Sequence, residues 1–142
     1  MPDLNADPVS ASGPAAAPSI LLVEDNALVA RTLSVVLEDA GFLVHCLADG
    51  ESAWEFLESE RSAAVRVLVC DLGLPGISGR ELLRRMVQQR PALPVVVVSG
   101  YSEPQLHGEL LAAGARAVVV KPVDVQEFVR AVRNALKAPG ER

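Results

Sequence analysis

Residues 65–79 read VRVLVCDLGLPGISG, an apolar run followed by a charge and a loop. The stretch begins with a short apolar run of the kind that forms a strand buried on both faces of a sheet. The run stops at Asp71, because a charge without a partner is too costly inside such a strand. Glycines and a proline then break the chain into a loop, and Ser78 opens a helix. Open α/β sheets place functional groups at the carboxyl ends of buried parallel strands, which makes Asp71 a candidate functional residue.

The rest of the chain repeats the same unit, a short apolar strand followed by an amphipathic helix. Strands are expected at residues 20–23, 43–47, 65–70, 95–98 and 117–120. Helix caps are expected at Asp49, Ser78, Ser102 and Asp124, and helix ends at Gly41 and Gly114. Five apolar strands alternating with five helices predict a parallel sheet covered on both faces, with right-handed crossovers. The simplest α/β solution is a flavodoxin-like, doubly wound (βα)5 sheet with strand order 2-1-3-4-5.

Length and composition indicate one ordered domain. A chain of 142 residues that is 50% hydrophobic can bury one core but not two. Residues 1–18 are rich in Pro, Ala, Ser, Asp and Gly, and they predict a disordered N-terminal tail. Residues 19–137 are expected to form the domain, and residues 138–142 a short C-terminal tail. The sequence therefore predicts a module without an output domain of its own.

Charge and cysteine usage exclude several classes of protein. A net charge of −5 gives no basic footprint for nucleic acid or for an anionic membrane. The N-terminus lacks the features of a signal peptide, and no apolar stretch is long enough to span a bilayer, so a cytoplasmic protein is expected. Cys46 and Cys70 fall in strands separated by a third, about 9–10 Å apart, too far for a disulfide. Both are interpreted as small buried core residues.

Three carboxylates are expected to meet at one edge of the sheet. Strand order 2-1-3 places Glu24 and Asp25, which follow the first strand, beside Asp71. At an effective dielectric near 20, two carboxylates about 4 Å apart repel by roughly 4 kcal/mol, and a divalent ion relieves that repulsion. A site made only of oxygen ligands suits magnesium. The alternative is that Glu24 and Asp25 only cap the first helix.

Two further polar side chains are expected at the same edge. Lys121 follows the last strand, and its charge could balance the acids or hold a phosphoryl oxygen. Ser99 ends the fourth strand. Each has an ordinary explanation when it is taken alone, since lysines and serines are common where strands end. Together with the acids, they give an anion, a cation, a hydroxyl and a nucleophile on adjacent strand ends.

Four segments resemble the signature segments of the response regulator receiver domain, the CheY-like family of two-component signalling. They are LLVEDN, CDLGLPGISG, VVVSGY and GARAVVVKP. The resemblance runs from Ile20 to about Leu136. It implies that Asp71 is the phosphoacceptor and attacks the phosphorus of a phosphohistidine on a histidine kinase or a histidine phosphotransfer protein.

The resemblance also implies roles for the residues around Asp71. Magnesium would be held directly by Asp25 and Asp71, through water by Glu24, and by the backbone carbonyl of Gly73. Lys121 would pair with one phosphoryl oxygen, and the Lys121–Pro122 peptide bond would be cis. Ser99 would hydrogen-bond another phosphoryl oxygen and pull its loop inward.

One position departs from the family pattern. Three residues before the lysine, the family usually has Tyr or Phe, whose ring swings inward when the hydroxyl moves. This chain has Val118, which is stiff at χ1 and has no ring to relocate. The usual aromatic relay is therefore missing, while Tyr101 lies close to the serine and is a candidate for recognition.

The expected function is a phosphorylation-dependent signalling module that acts through a downstream protein target, as a monomer or weak dimer. It is not expected to be an enzyme, apart from catalysing its own phosphorylation and dephosphorylation. A receiver fragment of a hybrid histidine kinase is one alternative. A magnesium-dependent phosphohydrolase usually has a second Asp two residues after the nucleophile, where this chain has Gly73. A flavin-binding electron carrier is disfavoured because Glu24 and Asp25 would repel the flavin phosphate.

Overall fold

A computed structural model describes residues 17–137 of the chain. Its strands are β1 (Ser19–Val23), β2 (Leu43–Leu47), β3 (Val65–Asp71), β4 (Val95–Ser99) and β5 (Ala117–Val120). Its α-helices are α1 (Ala27–Asp39), α2 (Gly50–Glu58), α3 (Gly79–Gln89), α4 (Pro104–Ala112) and α5 (Val125–Ala135). A 3-10 helix over Glu60–Ala64, which the sequence did not predict, connects α2 to β3. No helix in this part of the chain is long and apolar enough to cross a membrane.

The two predicted tails fall almost entirely outside the described residues. The described part of the chain begins at Ala17 and ends at Lys137. The carbonyl of Pro18 accepts a hydrogen bond from the Leu43 N–H, 2.9 Å away, at the start of the β1–β2 pairing.

The strands form one parallel sheet with the order β2-β1-β3-β4-β5. This order confirms the predicted flavodoxin-like (βα)5 fold. It also places β1 between the strands that carry Cys46 and Cys70, and both cysteines are free thiols.

The sheet carries an apolar layer on each face. Helices α2, α3 and α4 cover one face, and α1 and α5 cover the other. Along β3 the side chains alternate between the layers, with Val67 and Val69 on the α1–α5 face and Leu68 and Cys70 on the opposite face. All five residues of β4 are buried. The central strands are therefore covered on both faces, as their continuous apolar runs predict.

Three of the four predicted helix caps are confirmed, and one is wrong. Asp49, Ser78 and Asp124 each accept a hydrogen bond from the backbone N–H three residues on, at 2.7–3.1 Å. Ser102 caps nothing, because α4 begins at Pro104 and its N-cap is Glu103. A proline at the first helical position has no N–H to satisfy and a φ suited to the helix, so it sets the start.

Cys46 was interpreted as a small buried core residue, and this interpretation is wrong. Cys46 is exposed because β2 is an edge strand, and the other four residues of β2 are also exposed or only partly covered. Val125 is 51% exposed, since the fully buried stripe of α5 begins one turn later, at Phe128. Ala113 follows the end of α4 and is exposed, while Leu110 is the buried residue of that helix.

Candidate functional site

The register of the sheet brings the polar strand ends to one edge, which we call the carboxyl rim. Asp71 is the last residue of β3, and Glu24 directly follows β1. The residues just before them, Cys70 and Val23, are partners in the β1–β3 pairing. Ser99 ends β4, and Lys121 follows its β5 partner. The structure thus brings together the residues that the sequence placed at this edge.

Three carboxylates converge at the carboxyl rim. One oxygen each from Glu24, Asp25 and Asp71, the acidic cluster, lies within 4.8 Å of the other two. Glu24 and Asp71 are buried, with 2% and 8% of their surface exposed, while Asp25 is exposed. The N-cap of α1 is Asn26, a residue that the sequence analysis missed, and its side chain accepts the Val29 N–H. Neither acid is therefore the cap of this helix.

Lys121 joins two members of the acidic cluster. Its Nζ lies 2.8 Å from Asp71 Oδ1 and 3.1 Å from Glu24 Oε1. Partial burial by itself lowers the pKa of Lys121, but the carboxylates of Asp71 and Glu24 outweigh that effect, so the pKa is raised above its ordinary value. Lys121 is therefore protonated throughout the neutral pH range.

The donor set fits a hard divalent cation. Glu24 Oε1 is fully buried and has no well-directed hydrogen bond within the described residues, although the Lys121 ammonium is near. A buried acceptor without a well-directed hydrogen bond is uncommon, and a metal-bound water would supply one. Asp25 is exposed, which leaves room for further waters. Oxygen ligands with retained waters are what magnesium prefers.

The two oxygens of Asp71 have different partners. Oδ1 faces Lys121, and Oδ2 accepts a hydrogen bond from the Gly73 N–H at 3.1 Å. The backbone of Asp71 is closely covered by the start of α3, since a Cβ at Gly79 would lie 2.2 Å from the Asp71 carbonyl oxygen. Burial and then the charge of Asp71 raise the pKa of the neighbouring Cys70 thiol to about 12. Cys70 therefore remains protonated and does not compete as a nucleophile.

Ser99 is held by the loop that follows it, the β4–α4 loop (residues 100–103). It is fully buried, its Oγ accepts the Tyr101 N–H at 3.0 Å, and its hydroxyl donates to the Tyr101 carbonyl at 3.2 Å. The carbonyl of Ser99 accepts the Lys121 N–H at 2.8 Å. The Lys121–Pro122 peptide bond is cis, as the resemblance implied.

His107 contacts the same loop from α4. Its Nε2 lies 2.9 Å from the Tyr101 carbonyl oxygen. This contact could not be predicted from the sequence, because a single histidine in an amphipathic helix carries no spacing signal.

Comparison with known proteins identifies the family. The family model described as the response regulator receiver domain matches residues 20–133. This chain belongs to the response regulator receiver domain family. Among curated relatives, this receiver domain is 34% identical over 114 residues to the response regulator RppA of Synechocystis, covering 80% of this chain and 48% of RppA. It is 35% identical over 119 residues to the transcriptional regulatory protein CreB of Escherichia coli, covering 84% of this chain and 51% of CreB.

The chain spans about half the length of these curated relatives. In contrast, the chain covers nearly the whole length of solved receiver structures. A putative response regulator from Chloroflexus aurantiacus is 32% identical with a TM-score of 0.76, covering 84% of this chain and 98% of that one. The receiver domain of Francisella response regulator 1452 has a TM-score of 0.78 at 23% identity, covering 84% and 96%, and it supports the fold alone. The chain is thus a receiver domain of two-component signal transduction, as the resemblance implied.

Proposed function

We propose that this receiver domain accepts a phosphoryl group on Asp71 from a phosphohistidine, with magnesium bound by the acidic cluster. The observation that carries the proposal is the surroundings of the Asp71 carboxylate. One of its oxygens lies 2.8 Å from the Lys121 ammonium, which is charged at neutral pH, and two further carboxylates reach within 4.8 Å. A nucleophile between a fixed cation and a set of metal ligands is what phosphoryl transfer requires of a protein.

The transfer step needs positioning and charge neutralisation more than covalent help. An oxygen of Asp71 attacks the phosphorus, and a P–O bond forms as the P–N bond to the donor imidazole breaks. The electron pair of the broken bond returns to the ring nitrogen. Lys121, which starts in contact with Asp71, then pairs with a phosphoryl oxygen.

The metal ligands are assigned from the family resemblance, and the closeness of the three carboxylates supports the assignment. Asp25 and Asp71 would hold magnesium directly, Glu24 would do so through a water, and the Gly73 carbonyl would complete the protein ligands. When bound, magnesium supplies positive charge that lowers the repulsion within the cluster and neutralises phosphoryl oxygens. Lys121 cannot do this alone, because its one charge is shared between two carboxylates.

Ser99 is the residue that senses the phosphoryl group. Its hydroxyl turns from the Tyr101 carbonyl to a phosphoryl oxygen, and the β4–α4 loop moves with it. The moved loop changes contacts with a downstream protein target. Receiver domains are phosphoacceptors, so the only chemistry expected is phosphorylation and dephosphorylation of this chain itself.

The donor is proposed to be a histidine kinase or a histidine phosphotransfer protein. The relatives reported above carry the names of a response regulator and a transcriptional regulatory protein. Those names support a regulator rather than a fragment of a hybrid histidine kinase.

Intact-mass spectrometry after incubation with magnesium and a small acyl phosphate tests the proposal. The wild type should gain one phosphoryl group, and Asp71→Asn should gain none. Asp39→Asn removes an exposed carboxylate at the end of α1 and serves as the matched control, which should react like the wild type. No adduct on the wild type with any of several acyl phosphates, or an equal adduct on Asp71→Asn, would show that Asp71 is not the acceptor.

A further inference from the structure

The Tyr101 carbonyl receives two hydrogen bonds from opposite sides of the β4–α4 loop. The Ser99 hydroxyl donates to it at 3.2 Å from the end of β4. His107 Nε2 approaches it to 2.9 Å from α4. Because a carbonyl oxygen can only accept, Nε2 must be the ring nitrogen that carries the proton in this contact. This one oxygen therefore links the carboxyl rim to α4.

The two donors differ in what they do when Asp71 is phosphorylated. The Ser99 hydroxyl has one proton, so donating to a phosphoryl oxygen means giving up the Tyr101 carbonyl. Among the described residues, the Tyr101 carbonyl is the recorded partner of His107 Nε2, and this bond can persist while the serine turns. A carbonyl that keeps one donor loses less free energy than a carbonyl that loses its only donor.

We propose that His107 is a positioning residue that lowers the cost of turning Ser99 toward the phosphoryl group, by holding the Tyr101 carbonyl when the serine leaves. This inference rests on the proposed function, in which Ser99 hydrogen-bonds the phosphoryl group. Through these hydrogen bonds, a movement at the carboxyl rim would reach α4 without involving Val118. That residue is half-buried in the layer on the α2–α4 face and has no ring to carry the movement.

Binding of beryllofluoride in the presence of magnesium, followed by amide NMR, measures the cost of turning Ser99. Beryllofluoride mimics the phosphoryl group on Asp71, so it draws on the same serine hydroxyl. The contact is exposed, so water partly replaces the lost donor, and His107→Ala should bind it about threefold more weakly, toward the low end of one neutral hydrogen bond. His107→Gln should recover most of the affinity, because the amide N–H can donate to the same carbonyl. The control is His45→Ala, which removes an exposed histidine that stacks on Phe56 at the edge of the sheet.

A double-mutant cycle with Ser99→Ala separates positioning from general loss of structure. If His107 acts through the serine, His107→Ala should cause no further loss of affinity when Ser99 is already alanine. An equal loss in both backgrounds, or no loss in the wild-type background, would overturn the inference. If the wild type binds no beryllofluoride at all, the phosphoacceptor assignment has failed and the inference falls with it. If the wild type binds and His107→Ala binds equally well, only the role of His107 has failed.

Discussion

Asp25 is the member of the acidic cluster whose removal should reveal the electrostatic cost of the site. The carboxylate oxygens of the cluster lie within 4.8 Å of one another, and Lys121 contacts Glu24 and Asp71. At that separation each like-charge pair costs about 3 kcal/mol at an effective dielectric of 20 and about 1 kcal/mol in bulk water. Asp25 is exposed, so the lower figure applies. Asp25 belongs to two such pairs, and the charge of Lys121 offsets part of their repulsion, so Asp25→Asn should raise the free energy of unfolding of the metal-free domain by about 1 kcal/mol.

Magnesium should stabilise the wild type more than it stabilises Asp25→Asn. At about 100 times the Kd, a ligand that binds only the folded state adds about 2.7 kcal/mol to the wild-type free energy of unfolding. If Asp25→Asn binds magnesium about tenfold more weakly, the same concentration adds only about 1.4 kcal/mol. The higher free energy of unfolding that Asp25→Asn has in metal-free buffer, relative to the wild type, should therefore disappear as magnesium is added.

Urea unfolding of both proteins, with and without magnesium, measures both effects. Glu109→Gln, which neutralises an exposed acid on α4, is the matched control and should shift neither quantity. Equal stability of wild type and Asp25→Asn without metal, together with equal gains from magnesium, would mean that the carboxylates do not form a metal site.

Two further predictions concern the switch and the rim cation. When beryllofluoride binds, the amide chemical shift changes should be large at Ser99 and Tyr101 and small along β5. Val118→Tyr should extend these changes into β5 if an aromatic ring is the missing relay. Equally large changes in β5 of the wild type would contradict this prediction. Lys121→Met should unfold more easily than the wild type, because Asp71 and Glu24 lose their cation. Since the folded-state pKa of Lys121 is raised above 10.5, its contribution is present in full below that value. The difference between wild type and variant in urea unfolding should thus be constant near neutral pH and shrink as the pH rises through the folded-state pKa; a difference that changes near neutral pH would contradict it.

The sheet and the carboxyl rim could be predicted from the sequence because each strand carries its own signal. An uninterrupted apolar run identifies a central strand, and the charge at which the run stops identifies the rim, as at Asp71. The flavodoxin-like strand order is the simplest solution for five such units, and it brings Glu24 next to Asp71.

Other features depend on contacts that no local pattern reports. The strand β2, which contains Cys46, is largely apolar. An apolar sequence does not show whether a helix covers an edge strand. At the start of α4 two signals compete, and Pro104 prevails over the cap expected at Ser102. His107 donates to the backbone carbonyl of Tyr101. Every residue has such a carbonyl, so the residue type at position 101 does not predict the contact.

Borohydride trapping identifies the residue that carries the phosphoryl group. An aspartyl phosphate is an acyl phosphate, and reduction converts its side chain to the alcohol of homoserine. After incubation of the wild-type domain with magnesium and a small acyl phosphate, peptide mapping should find homoserine at position 71 and aspartate at positions 25 and 49. Homoserine at another aspartate, or none anywhere in a protein that has gained a phosphoryl group, would contradict the assignment of Asp71.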